Sequence, residues 1–322
     1  MTVILNAPIT PKTSYGITSI NTILALEAAG VEVATIPIGQ PEWYTEQPLE
    51  ASLTRGQFFL SDSPCIRLFH EFDLSTHHGK GLHIGFPIFE KTKFSNQEIH
   101  QLNSVDSLFV PTSWAKRMIE DNGIKTPVKI VNLGVDLNTF KPCQPSIGPY
   151  RFFFPGKYEV RKGFDILMEI FENAFTIKDD FELILLPTNF FIGQQNDEWH
   201  KFIMSSKLAS KVKIINRLDH HSQVAQLYQQ SDCIVSFSRA EGWNLPLLEG
   251  LACGRQVVAT NYSAHTEFLT SQNSSLSEIS ELEPALDGVF FNNPENMWAS
   301  ITESVKESLT ESLRKMYNIG KG

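Results

Sequence analysis

The segments "TVILNAP" (Thr2 to Pro8), "ITPKTSYG", "ITSINTILALEAAG" and "VEVATIPI" read as strand, loop, helix and strand. The same order begins again at Tyr150 with "YRFFFPG", "KYEVRKG", "FDILMEIFENAF" and "FELILLP". The strand runs are β-branched and aromatic, the helical runs carry apolar residues at helical spacing, and Gly30 stops the first helix. A strand-helix-strand crossover lays two strands parallel in one sheet with the helix on its face, so a chain that opens this way twice is confined to an α/β architecture. Between the two openings lies "FKPCQPSIGP" (Phe140 to Pro149), whose three prolines resist both helix and sheet and suit a linker. The prediction is two Rossmann-like, doubly wound domains facing across a cleft, residues 1–145 and 146–296.

The end of the chain does not repeat the pattern. From Met297 to Tyr317, Trp298, Ile301, Val305, Leu309 and Leu313 recur every three or four residues, with Glu303, Glu307 and Glu311 on another face. One amphipathic helix follows, and its apolar stripe must dock on a domain already built. The preceding "SQNSSLSEISELEPALDG" (Ser271 to Gly288) is polar and reads as a surface connection.

At 322 residues and 42% hydrophobic composition the chain can build two cores. The formal charge of −9, with no Lys or Arg run longer than a pair, gives no indication of nucleic-acid binding. No apolar stretch reaches the length of a membrane span and the start lacks the marks of a signal peptide, so a cytoplasmic protein is expected, with peripheral membrane contact left open. Cys65, Cys143, Cys233 and Cys253 have no C-x-x-C spacing and read as reduced, structural thiols. The histidine doublets His77-His78 and His220-His221 lack the spacing and carboxylate partners of a zinc site, and there is no Asp-x-Asp motif.

Chemistry concentrates in the second half. "GKYEVRKG" (Gly156 to Gly163) follows a strand directly and brings Lys157, Arg161 and Lys162 to the carboxyl edge of the sheet, where cations suit a diphosphate. Arg161, beside Lys162, reads as a salt-bridge residue. "SDCIVSF" is a buried strand that leads into "SRAEGWNLPLLEGLACG" (Ser238 to Gly254), with Glu241 in a strand-to-helix loop, Pro246 in the first helical turn, Glu249 one turn inside and Gly254 as the stop. The helix N-terminus offers N–H groups to phosphates, and carboxylates accept hydrogen bonds from vicinal hydroxyls of a ribose or sugar. A nucleotide sugar combines these features. A dinucleotide-dependent oxidoreductase would need G-x-G-x-x-G, which neither half contains. A non-catalytic nucleotide-sugar-binding protein on the same fold stands as the alternative.

These motifs resemble the retaining nucleotide-sugar glycosyltransferases of the group 1, family 4 type, which have the GT-B fold. The resemblance rests on "EGWNLPLLE" continued by "GLACGRQVVAT" and Glu267, on Gly156-Lys157 followed by Lys162-Gly163, and on "SWAKRMIEDNGI" followed by "KIVNLGVDLNTFKP". Lys157 stands where the family has Arg, Asn244 where most members have Gly, and only Gly16 of "SYGIT" matches the family's first-half loop. The resemblance implies that Glu241 contacts hydroxyls of the transferred sugar and Glu249 the nucleotide ribose. It implies that Lys157 and Lys162 neutralise the departing diphosphate, with Gly156, Gly242 and the amides of Trp243, Asn244 and Leu245 against phosphate or sugar. His70 would meet the donor sugar or the acceptor. The activity implied is metal-independent transfer, with retention, from a nucleotide sugar such as a UDP- or GDP-sugar to a glycan, lipid-linked or other hydroxyl acceptor. No cofactor is implied, and in this fold the last helix crosses back to the first domain.

Overall fold

The structure is a computed structural model; it describes residues 1–322 apart from 44–47, 59–61, 145–146, 217, 219 and 322. The chain divides into Met1–Gly134 and Val135–Gly322. The boundary expected at 145/146 falls outside the described residues, and Phe140, inside the expected linker, is 1% exposed in a core of the second unit.

The first unit runs β1 (Thr2–Ala7), α1 (Ser14–Ala28), β2 (Glu32–Pro37), α2 (Glu50–Arg55), β3 (Cys65–Arg67), β4 (His83–Gly85), α3 (Asn96–Leu102), β5 (Ser107–Val110), α4 (Ser113–Asp121) and β6 (Val128–Ile130). Its sheet has the order β2-β1-β3-β4-β5-β6, with every pairing parallel. The second unit runs β7 (Tyr150–Pro155), α5 (Phe164–Ala174), β8 (Phe181–Leu186), α6 (Gln195–Met204), β9 (Val212–Ile214), α7 (His221–Gln230), β10 (Cys233–Ser236), α8 (Leu245–Ala252), β11 (Gln256–Asn261), β12 (Ser275–Glu278), β13 (Leu282–Pro284), β14 (Met297–Ala299) and α9 (Glu303–Lys321). Its main sheet has the order β12-β11-β10-β7-β8-β9, again all parallel. Both units are therefore doubly wound α/β, as the two openings require. Strands such as β10, buried at all four positions, carry the unbroken apolar runs that a sheet covered on both faces demands.

Three local expectations are corrected. Gly16 lies in the first turn of α1 and not in a loop, because Thr13 caps the helix by accepting a hydrogen bond from the Gly16 amide at 3.1 Å. The polar stretch after Ser271 supplies the edge strand β12 and the first strand of a two-stranded antiparallel sheet, β13 with β14. The final helix begins at Glu303; Trp298 lies in β14, stacked into a small cluster with Ala240 and Ala285.

The docking of that helix is corrected as well. Val305, Leu309, Leu313 and Met316 are buried in the second unit's own core with Phe152, Phe171 and Phe181, where α9 covers α5, β7, β11 and β12. The stripe expected to dock on the first domain is buried there, within the unit that contains it.

Candidate functional site

In the second unit the chain winds outward from β7 through β8 to β9 and then returns to β10 on the other side of β7. The carboxyl ends of β7 and β10 thus frame the switch point, where the connections diverge to opposite faces and leave a crevice. The two loops that carry the sequence candidates leave from these two strands. They are zipped together: the Arg239 amide donates to the Arg161 carbonyl at 2.7 Å, and Arg161 Nη1 donates to the Ala240 carbonyl at 2.9 Å. Gly163, with φ +85°, closes the approach, since a methyl group there would stand 2.6 Å from the Phe237 carbonyl oxygen.

Glu241, 3% exposed, is the hub. Its Oε1 accepts from Lys162 Nζ at 2.7 Å and Ser238 Oγ at 2.5 Å; its Oε2 accepts from Lys162 Nζ at 2.9 Å and Arg161 Nη1 at 3.3 Å. Burial alone raises its pKa, but the charges of Lys162 and Arg161 and the hydrogen bonds from Lys162 and Ser238 outweigh this and hold it at about 2. Four contacts fill the acceptor positions of a carboxylate, so a sugar hydroxyl can be met only if one partner turns away. Glu159, also buried, accepts from Arg161 at 2.8 Å and stands 3.2 Å from Lys157. Burial raises its pKa, and Arg161, Lys157 and Lys162 together bring it below the usual range. The Lys157 side chain remains 41% exposed, with its ammonium 5.0 Å from the Phe191 ring. Gly156 leads out of β7 with only the Lys162 side chain near its α-hydrogen side.

Gly242, Trp243 and Asn244 are buried and run into α8, with Pro246 in its first turn and Gly254 at φ +73° just past its end. Asn244 takes the left-handed conformation (φ 73°, ψ 58°) that Gly would adopt freely. Its amide nitrogen holds the position, donating to Ser236 Oγ at 3.2 Å and to His265 Nδ1 at 3.4 Å. That second bond needs the Nε2–H tautomer of His265, and Nε2 lies 2.6 Å from the Thr260 carbonyl. Burial lowers the His265 pKa and keeps the ring neutral. Trp243 packs on Phe268, and its indole N–H is buried with no partner among the described residues. Leu245 opens the helix, nearly buried.

Glu249, 5% exposed, accepts at 3.1 Å from His221 Nε2, at the first turn of α7, and interacts with the Tyr228 hydroxyl. His221 is thus a carboxylate partner. Among the described residues no group of three or more His, Cys, Asp or Glu side chains is placed to hold a metal ion.

In the first unit the winding reverses between β1 and β3. Gly16 and His70 both belong to this switch point. A methyl group on Gly16 would fall 2.0 Å from the Thr10 carbonyl oxygen, which fixes glycine there. The neighbouring Tyr15 ring lies 4.6 Å from His70, and Phe72 stacks on the imidazole's ring at 5.0 Å with an interplanar angle of 7°. Close by, Lys91 bridges the buried Glu71, at 2.7 Å, and Glu98.

Arg161 is the salt-bridge residue its neighbourhood suggested, and Glu267 ends a short 3-10 turn. Glu159, Ser238, Tyr228 and His265 were not singled out by sequence, and His221 was read only as half of a doublet without the partners of a zinc site. Their one available signal is position: Glu159 and Ser238 lie inside the two motif loops, two and three residues from members already identified.

Residues 149–297 match the model of a family described as glycosyl transferases group 1. An uncharacterized glycosyltransferase of Methanocaldococcus jannaschii is 26% identical over 213 residues, which make up 65% of this chain and 52% of that protein. The chain therefore spans about half the length of the curated relative it matches. Among solved structures, Alr3699/HepE of Anabaena, in complex with UDP-glucose, superposes with a TM-score of 0.64 at 16% identity over 99% of this chain and 95% of that one. A variant of S. aureus TarM, in complex with fondaparinux, alpha-GlcNAc-glycerol and UDP, does so with a TM-score of 0.59 at 14% identity over 80% of this chain and 48% of that one. At these identities the likeness is one of fold, the GT-B architecture.

Proposed function

We propose that this chain is a glycosyltransferase whose second unit binds a UDP-sugar and passes the sugar, with retention and without a metal ion, to a hydroxyl of a glycan, lipid-linked or other acceptor. The observation that carries the reading is the Lys162–Glu241 pair at the carboxyl edge of β7 and β10, with α8 opening beside it and the half-exposed Lys157 ammonium in the same loop. The match over 149–297 and the UDP-containing neighbours support it.

The arrangement suggests an exchange of partners. An ammonium has three donors, and two face Glu241, so one remains for a phosphate oxygen. As the bond from the sugar's anomeric carbon to the diphosphate breaks, charge grows on the leaving oxygen. Lys162 turns toward it, and the freed Oε1 of Glu241 accepts a sugar hydroxyl. The bond from the anomeric carbon to the acceptor oxygen forms on the same face, and the acceptor's proton passes to the departing phosphate. The lysines supply the electrostatic stabilisation that a divalent cation gives elsewhere, about 3–4 kcal/mol for a well-placed group.

Titration calorimetry tests the binding half. Wild type should bind UDP, and Lys162→Ala should weaken that binding at least about tenfold, the loss of one charge-assisted hydrogen bond. Release of UDP from a panel of UDP-sugars tests the transfer half. Equal UDP affinity in Lys162→Ala and wild type would remove the basis of the assignment.

A further inference from the structure

Why Glu249 points where it does depends on residues far from it in sequence. In "GVDLNTFKP" Asp136 folds the chain on itself: its carboxylate accepts from the Asn138 amide at 2.9 Å and Thr139 Oγ1 at 2.6 Å, and its carbonyl from the Phe140 amide at 2.8 Å. This turn delivers Phe140 into the second unit's core, edge-on to His221 at 4.8 Å and to Tyr228 at 5.7 Å. Those two residues are the polar partners of Glu249. A carboxylate only accepts, so the 3.1 Å contact makes His221 Nε2 the donor and fixes the ring's tautomer. One imidazole edge is turned onto Glu249 while an aromatic edge packs on its ring. The His221 side chain stays 22% exposed against 7% for Glu249.

We infer that His221 is a positioning residue for nucleotide recognition: held by Phe140, it orients the Glu249 carboxylate toward a ribose and so makes the site select a ribonucleoside diphosphate over its 2′-deoxy counterpart. The inference rests on the reading of the second unit as a nucleotide-sugar site, with Glu249 as the ribose contact that the resemblance implies. With both donors in place the carboxylate cannot rotate about its last bond without breaking a hydrogen bond. An oxygen presented in a fixed direction can discriminate one hydroxyl from none, whereas a rotating one adapts to either ligand.

The test compares UDP with 2′-deoxy-UDP by calorimetry on the full chain, using wild type, Glu249→Gln, His221→Ala and His221→Gln. Wild type should prefer UDP by about tenfold or more. His221→Ala should shrink that preference to within about threefold. His221→Gln, whose amide can also donate, should restore most of the preference, which a loss of packing alone would not allow. If Glu249→Gln abolishes the preference but His221→Ala keeps it, the positioning role is overturned. If Glu249→Gln leaves the preference intact, the ribose assignment itself fails and the inference falls with it.

Discussion

Glu241 shows how a residue that sequence marks for a ligand can also be the charge on which its own loop depends. Removing it leaves Lys162 buried without its carboxylate and Arg161 with Glu159 alone, and Glu241→Ala should cost about 3–5 kcal/mol of stability at neutral pH. Its folded pKa of about 2 lies below the ordinary 4.5 of a glutamate. The group therefore contributes stability that is fully present above about pH 4.5 and is lost as pH falls toward 2, about 3 kcal/mol in all. Acid denaturation of Glu241→Gln followed by circular dichroism should show a shallower loss through that window; an unchanged acid limb would contradict the pairing. Asn244 permits a second comparison. Asn244→Ala keeps the left-handed strain and loses the bonds to Ser236 and His265, so it should lower stability by about 1–2 kcal/mol, and Asn244→Gly by less. Equal melting temperatures for the two variants would show that the conformation carries no strain. The spacing of Glu241 and Glu249 was legible because both sit in a contiguous strand-loop-helix. The partners of Glu249 were not, because His221 and Tyr228 reach it, and Phe140 reaches them, through tertiary folding, with no local pattern to announce them.

At the scale of elements, sequence read β7, α5 and β8 nearly to the residue because both faces of these strands are apolar and the helix is amphipathic. It misread Ser271–Gly288 for an equally physical reason. The edge strand β12 is held to α9 by hydroxyl pairs, Ser275 with Ser312 at 3.0 Å and Ser277 with Ser308 at 2.9 Å, where hydrophobic periodicity gives no signal. The stripe of α9 was legible as a stripe, but its partner was not, since periodicity shows that a face is buried without saying against what. Val305, Leu309 and Leu313 each contribute about 1.5–3 kcal/mol by burial. A chain ending at Thr302 should therefore lose the cooperative unfolding of the second unit, not merely its activity. A truncated protein with the full-length melting temperature would place the stripe outside the core.

Taken as a whole, the molecule sets sequence candidates at the switch points of two separately wound sheets: Gly16 and His70 in one, and the loops of Lys162 and Glu241 in the other. On the reading proposed here, transfer of the sugar persists in excess EDTA because Lys157 and Lys162 supply the charge; loss of turnover with chelator and recovery with manganese or magnesium would contradict it. Proton NMR of the first product from an α-linked UDP-sugar should show the α-anomer, and a β-anomer would rule out retention. The central claim is that the crevice between β7 and β10 is a nucleoside diphosphate site, and a crystal structure with UDP tests it most directly. A diphosphate oxygen is expected within hydrogen-bond distance of Lys162 Nζ, with the phosphates against the amides that open α8 and the ribose hydroxyls on Glu249. UDP bound elsewhere on the chain, or bound there with the Lys162–Glu241 pair untouched and the ribose turned from Glu249, would contradict it.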